Sequence, residues 1–303
     1  MYDFIGDIHG YSDKLEELLI KLGYKKENGI YKHKTRVAFF LGDYIDRGPS
    51  IIKTLKIVKD MVEAKSAKAL MGNHEYNAVC FYMQDESGGH LREHSIKNII
   101  MHYEMLKQFD HKEDEYKEYI TWMKTLPLFY EDEFCRAVHA CFDEDIIEYL
   151  KKELNGNTLS DEAFKKASKI GSKLNFAVED ITKGKEVRLP KDILHYDQNG
   201  NARTHMRIKW WENPQNITYK DISVEKIEGL PKERVDVSLL RNTNYYKSGE
   251  KPVFFGHYWF RGEPRYIKEN VCCLDFSVAK GGKLTCYRFD NEQKLDNSKF
   301  IYV

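Results

Sequence analysis

No stretch of the 303-residue chain approaches the roughly 18 uninterrupted apolar residues that would suggest a membrane span. Its start, MYDFIGD, lacks the basic and apolar regions of a signal peptide. We expect a cytoplasmic protein with no membrane partner. Charge of one sign is not in excess either, with 48 lysines and arginines against 48 aspartates and glutamates. That balance argues against a dedicated binder of duplex nucleic acid, whose affinity rests on a basic surface, while leaving room for a local basic groove. The six cysteines form no C-x-x-C pair and no dense disulfide framework, so most are expected as buried thiols. Cys141, two residues after His139, is expected to pack rather than react. There is no internal repeat, low-complexity tract or Pro/Ser-rich linker, and the sequence says nothing about oligomeric state.

What is present begins with FIGDIHGYSD. Here Asp7 and His9 stand two residues apart, and if the strand from Tyr2 persists that far they point the same way. Such a pair could clasp a transition-metal dication, or Asp7 could cap the next helix with His9 merely exposed. Asp13 with Glu16 suggests a capping box for a helix carrying Leu15, Leu18, Leu19 and Leu22 on one face. A second unit runs from VAFFL through GDYIDRGPS into a helix with Ile51, Ile52, Leu55, Val58 and Met61 or Val62 inward. A third runs from AKALM through GNHE into a helical stretch from Tyr76. Three successive βα units predict neighbouring parallel strands, with their polar residues gathered beyond the strand ends where ligand sites of open α/β sheets lie.

Two later apolar runs, FCRAVHACF and KPVFFGHYWF, again end in histidine, and CCLDFSVAKGGKLTCYRFD reads as two strands joined at Gly281-Gly282. Residues 150–249 differ in character, being charged and helical-looking and then carrying LHYDQNGNARTHMRIKWW, a predicted hairpin turning at Asn199-Gly200. Because core-like strands resume afterwards, we expect one domain over 1–303 with 150–249 inserted as a cap.

Taken in order, GDIHG (6–10), GDYIDRG (42–48), GNHE (72–75), VHA (138–140) and GH (256–257) resemble the calcineurin-like metallophosphoesterases. The likeness is strongest to the phosphoprotein-phosphatase branch, which includes bacterial serine/threonine phosphatases and symmetrical diadenosine tetraphosphatases. It implies an α/β αββα sandwich, with central sheets flanked by helices. It also implies two divalent metal ions, one held by Asp7 and His9 and the other by Asn73, His139 and His257, with Asp43 bridging. Nitrogen, carboxylate and amide donors favour Mn, with Fe or Zn as alternatives, over magnesium. Two dications roughly 3.5–4 Å apart need an anion between them, which a shared carboxylate supplies. A hydroxide bridging the metals could then attack phosphorus directly, with Arg47 spreading charge on the phosphoryl oxygens and no phosphoenzyme.

In this reading His74 protonates the leaving oxygen and Asp46 orients it. The plainer alternative for Asp46 and Arg47 is a salt bridge pinning their loop. Glu75 is expected to fix its own loop. The remaining histidines (His33, His90, His94, His102, His111, His195 and His205) lack paired spacing and are expected at the surface or satisfied in the core. Arg92 is a candidate for the substrate cleft. The family often has a second phosphate-binding arginine, for which Arg207 or Lys209 would serve; the sequence does not choose. Arg203 to Trp211 interleaves cations and aromatics. We favour a hairpin whose tryptophans pack on the core over a stacking platform for a base or single strand. The expected activity is hydrolysis of phosphomonoesters in the manner of a protein serine/threonine phosphatase, on a phosphorylated protein or a small phosphoester. Hydrolysis of dinucleoside polyphosphates is the second choice, and a catalytically silent, metal-stabilised binding module the third.

Overall fold

The computed structural model describes residues 1–190, 193, 195–196 and 202–303. The strands of its two main sheets are β1 (Tyr2–Ile5), β2 (Val37–Phe40), β3 (Ala67–Ala69), β4 (Phe129–Glu131), β5 (Arg136–Val138), β6 (Val253–Phe255), β7 (Val271–Cys273), β8 (Asp275–Phe276), β9 (Lys283–Phe289) and β10 (Phe300–Tyr302). Its main helices are α1 (Ser12–Lys21), α2 (Ile51–Glu63), α3 (Asn73–Tyr82), α4 (Ile96–Gln108), α5 (Glu113–Met123), α6 (Glu144–Leu154), α7 (Asp161–Ser168) and α8 (Lys173–Lys183). One sheet has the order β8-β9-β1-β2-β3, with β10 also on β9; the other has the order β7-β6-β5-β4. As the three βα units predict, β1, β2 and β3 are parallel neighbours. Strands β5, β6 and β7 are parallel in the second sheet.

Alternation along the strands builds the layers. Phe4, Phe39, Phe254, Cys272 and Phe289 point between the sheets, where Phe4 and Phe254 stack with ring centroids 3.9 Å apart. Ile5, Phe40, Val253, Phe255 and Cys273 point the other way, into the helical layers with Leu15, Leu18, Leu55 and Val178. The architecture is therefore the expected helix–sheet–sheet–helix sandwich. All six cysteines are buried free thiols, and burial raises the Cys141 thiol pKa well above its ordinary value, in keeping with a packing role.

Three local expectations are corrected. Helix α1 starts at Ser12 without a side-chain cap, so Asp13 and Glu16 form no capping box; Glu16 instead binds Lys26, Lys53 and Tyr31. The run CCLDF is divided between the sheets: Val271–Cys273 pairs with β6 and Asp275–Phe276 with β9, the switch passing through Leu274. Between β8 and β9 a 3-10 turn over Val278–Lys280 precedes Gly281. Within 150–249, α7 and α8 pack into the main core through Phe164, Leu174, Val178 and Ile181. Residues 187–235 carry a separate apolar cluster that includes Val187, Met206, Ile208 and Ile222. His195–Tyr196 pairs with Ala202–Arg203, while the predicted turn at Asn199-Gly200 lies outside the described residues. Trp210 and Trp211 are buried against Phe255, which rules them out as an exposed stacking platform. No helix among the described residues is long and apolar enough to cross a membrane.

Candidate metal centre

The candidate residues meet at the carboxyl ends of both sheets' parallel strands, through backbone stitching between loops distant in sequence. Ile8 and His9 N–H groups donate to the Asp43 carbonyl at 3.0 and 2.8 Å, and Gly10 N–H donates to Tyr44. Gly256 N–H donates to the His139 carbonyl at 2.8 Å, joining the two later motifs. The first strand does not persist to His9. It ends at Ile5, and His9 has φ +49°, so a tight turn and not strand alternation aims its ring. Asp43, Asp46, Arg47 and His257 also have positive φ. Such backbone costs of order 1–3 kcal/mol per residue and persists where surrounding contacts over-determine it. Gly72 is required by close approach, since a Cβ there would overlap the Asp43 carboxylate and amide.

Asp43 sits between two groups of buried donors: His9, Asp43 and His74 form one, and Asp43, His139 and His257 the other. Its Oδ2 lies 3.7 Å from His9 Nε2, and its Oδ1 lies 3.3 Å from His139 Nε2. Asn73 Oδ1 is 3.1 Å from His139 Nε2. The Nδ1 atoms of His9 and His139 donate to the carbonyls of Ile45 (3.0 Å) and Leu41 (2.7 Å), which leaves each Nε2 lone pair facing inward. His9 Nε2 and both ring nitrogens of His257 are buried without a hydrogen-bond partner among the described residues. Imidazoles left in that state are costly unless something electrophilic is bound, so these donors fit divalent metal ions. Burial, with the neighbouring His74, pulls His9 down to about 3. Burial, with Arg207 and His139, holds His257 below its ordinary range, so both rings are neutral, as a ligand must be.

Asp7 is buried and accepts the His257 N–H at 3.1 Å; it caps no helix. Burial and the charges of Asp275 and Asp43 push its carboxyl up. Burial also opposes ionisation of Asp43, but His139, His74 and His9 outweigh it and hold Asp43 well below the usual carboxylate range. Glu75 behaves as expected, accepting the N–H groups of Gly72 (3.0 Å), Asp43 (2.8 Å) and Tyr44 (2.8 Å), and so ties the second motif to the third. Burial and Asp43 push its carboxyl up to about 7.

Beside this centre, His74 Nδ1 lies 2.6 Å from Asp46 Oδ2, which leaves Nε2 on the site side, 3.9 Å from Asp43 Oδ2. Asp46 does not bridge to Arg47. The Arg47 guanidinium lies 4.7 Å from the centroid of the Trp259 ring, which stacks against His9, and Lys280 Nζ approaches the same ring at 4.2 Å. Burial together with Arg47 and Arg261 lowers the Lys280 pKa, against the opposing charge of Asp275.

Of the substrate candidates, Arg207 adds its charge to those lowering the His257 pKa, whereas Lys209 donates to the Asp221 carbonyl at 2.7 Å. Arg92 is turned to the side-chain carbonyls of Asn77 (3.0 Å) and Asn98 (2.8 Å) rather than offered to a cleft. Sequence reasoning missed Asp275 and the partner of His102. Asp275 is buried and accepts the Trp259 N–H at 2.7 Å, fixing the loop after His257. His102 is satisfied in the core, as expected, but nothing in the sequence pointed to its partner: Nδ1 lies 2.9 Å from Asp46 Oδ1. The signal there was inverted, because α4 exposes Ile96, Ile99 and Ile100 and turns His102 inward.

The calcineurin-like phosphoesterase profile matches residues 2–257. Bis(5'-nucleosyl)-tetraphosphatase PrpE [asymmetrical] of Oceanobacillus iheyensis is 38% identical over 107 residues, 35% of this chain and 42% of that protein. The protein of the same name from Bacillus mycoides is 33% identical over 153 residues, 48% of this chain and 59% of that protein. The chain thus spans about half the length of the curated relatives it matches. Among solved structures, a cold-active protein-tyrosine phosphatase from Shewanella is 17% identical, with a TM-score of 0.49, covering 96% of this chain and 75% of that one. A protein serine/threonine phosphatase from Saccharomyces cerevisiae is 13% identical, with a TM-score of 0.47, covering 100% of this chain and 78% of that one. With its five motifs in order around one buried centre, the chain belongs to the calcineurin-like phosphoesterases, hydrolases of phosphate ester bonds.

Proposed function

We propose that the chain is a dinuclear metal-dependent hydrolase whose preferred substrates are nucleoside polyphosphates. The observation that carries the dinuclear reading is Asp43, whose two oxygens face two different sets of histidines. In this reading Asp7, His9 and Asp43 hold one divalent ion, and Asp43, Asn73, His139 and His257 the other, with manganese suiting the mixed nitrogen and oxygen donors. When bound, such ions lower the pKa of water and polarise phosphoryl oxygens. Arg47 engages the phosphoryl oxygens, its guanidinium steadied on Trp259. His74, with Nδ1 occupied by Asp46, delivers a proton from Nε2 to the leaving oxygen. That dyad is superfluous in a silent binding module and speaks for turnover.

The order of the two substrate readings from sequence is reversed here. Arg47 and Lys280 meet on the Trp259 ring with no salt-bridge partner among the described residues, which suits a substrate carrying more than one phosphoryl group. The tetraphosphatase names of the relatives point the same way. The Mn²⁺-reconstituted protein should be assayed on diadenosine tetraphosphate, a phosphopeptide, p-nitrophenyl phosphate and its bis-ester. Preference for the tetraphosphate is expected, with Lys280→Ala raising KM for it alone; preference for the phosphopeptide would overturn the substrate class. Nucleotide products separate symmetrical cleavage, our sequence-based alternative, from the asymmetrical cleavage in the relatives' names. The segment 150–249 acts in this reading as a cap that supplies Arg207.

A further inference from the structure

Asp46 holds His74, but it is itself held. Its carboxylate, 3% exposed, accepts from His74 Nδ1 on Oδ2 at 2.6 Å and meets His102 Nδ1 on Oδ1 at 2.9 Å. His102 is 5% exposed, projects from α4 and has its Nε2 3.2 Å from the Tyr116 hydroxyl of α5. The tautomers follow from the partners. An ionised Asp46 can only accept, so both Nδ1 atoms carry hydrogen, and His102 Nε2 accepts from the Tyr116 O–H. The chain Tyr116–His102–Asp46–His74 then leaves no donor or acceptor unmatched and ends at His74 Nε2 on the site side.

A carboxylate with a single donor can swing about its Cβ–Cγ bond and let the imidazole it holds change tautomer. A second donor on the other oxygen fixes its plane. We propose that His102 is a positioning residue for proton delivery: by clamping Asp46 from α4 it keeps His74 in the Nδ1–H tautomer with Nε2 directed at the leaving group. The placement is independent of the metal motifs, since α4 contributes none of them and His102 lies 28 residues beyond His74 in sequence. Asp46 is also kept ionised: burial opposes the charge, but His102 and His74 outweigh it and hold the carboxyl far below its ordinary range.

The proposal rests on His74 being the proton donor, so its test must separate loss of the clamp from failure of that reading. Full-length protein, His102→Ala, His102→Asn and Tyr116→Phe are loaded with metal and checked for equal metal content. Turnover is then compared on p-nitrophenyl phosphate, whose leaving group needs little protonation, and phenyl phosphate, whose leaving group needs it. His102→Ala is expected to lose about 10- to 100-fold on phenyl phosphate and less than about 3-fold on p-nitrophenyl phosphate. The Asn variant keeps a donor near the Nδ1 position and is expected to recover most of the loss; Tyr116→Phe falls between. As an activity-independent readout, long-range ¹H–¹⁵N spectra of the Zn²⁺-loaded chain should show His74 as one tautomer in wild type and as a mixture in His102→Ala. Equal losses on both esters, an Asn variant no better than Ala, or an unchanged His74 tautomer would overturn the positioning role. A His74→Ala variant that is unimpaired on phenyl phosphate would instead remove the reading on which it rests.

Discussion

Replacing Asp43 with Asn should cost the protein the stabilisation of both metal sites at once. A ligand present at 100 times its Kd stabilises the folded state by about 2.7 kcal/mol per site, so two filled sites contribute about 5 kcal/mol. An unfolding entropy of about 2.1 cal/mol/K per residue gives a chain of this length roughly 0.6 kcal/mol/K. Saturating Mn²⁺ should therefore raise the wild-type Tm by about 8 °C, and His9→Ala or His257→Ala, each touching one site, should retain about half of that rise. Asp43→Asn should retain almost none, because its two oxygens face His9 and His139 separately. Its metal-free Tm should change little. The substitution removes repulsion with Asp7, Glu75 and Asp275, whose carboxyls Asp43 pushes up, and also removes attraction to His139, His74 and His9. Differential scanning fluorimetry with and without Mn²⁺ reads all four proteins. An Asp43→Asn shift equal to wild type, or equal to that of the single-histidine variants, would refute the shared-carboxylate arrangement.

His74→Ala should lower turnover by about 10²-fold or more with metal content unchanged by elemental analysis, and unchanged turnover would remove the proton-donor role. Phe254→Ala should destabilise by about 3–5 kcal/mol in urea titration, because it opens the layer between the sheets where Phe254 stacks on Phe4. The buried Asp143–Lys185 pair, 2.5 Å apart, should set part of the acid limit of stability. Burial disfavours the Asp143 carboxylate, yet Lys185 and Asn244 outweigh it and depress its pKa. Its contribution is therefore present above the unfolded carboxyl pKa, and is lost as pH falls through the lower folded value. Asp143→Asn should cost about 3 kcal/mol near neutral pH and flatten the Tm–pH curve below pH ~4, and parallel wild-type and variant curves would refute it.

The residue types and their order carried the family, the three parallel βα units and nearly all of the metal-site candidates, because such a site needs particular donor atoms at strand ends and those atoms are written in the chain. The layers came only with the family resemblance; the division of Phe4, Phe39 and Phe254 from Ile5, Phe40 and Phe255 is seen in the structure. Only tertiary structure decided how the donors are aimed. His9 reaches the centre by a left-handed turn stitched to Asp43, not by strand periodicity, and CCLDF is divided between two sheets by hydrogen bonds that no local pattern specifies. Whether Lys209 faces a site or a carbonyl was equally undecided in the sequence; it donates to the Asp221 carbonyl. His102 was invisible for the same reason. Periodicity reports which face of a helix is apolar, whereas α4 leaves isoleucines in solvent and buries a histidine for the sake of a carboxylate that arrives from a loop 56 residues earlier.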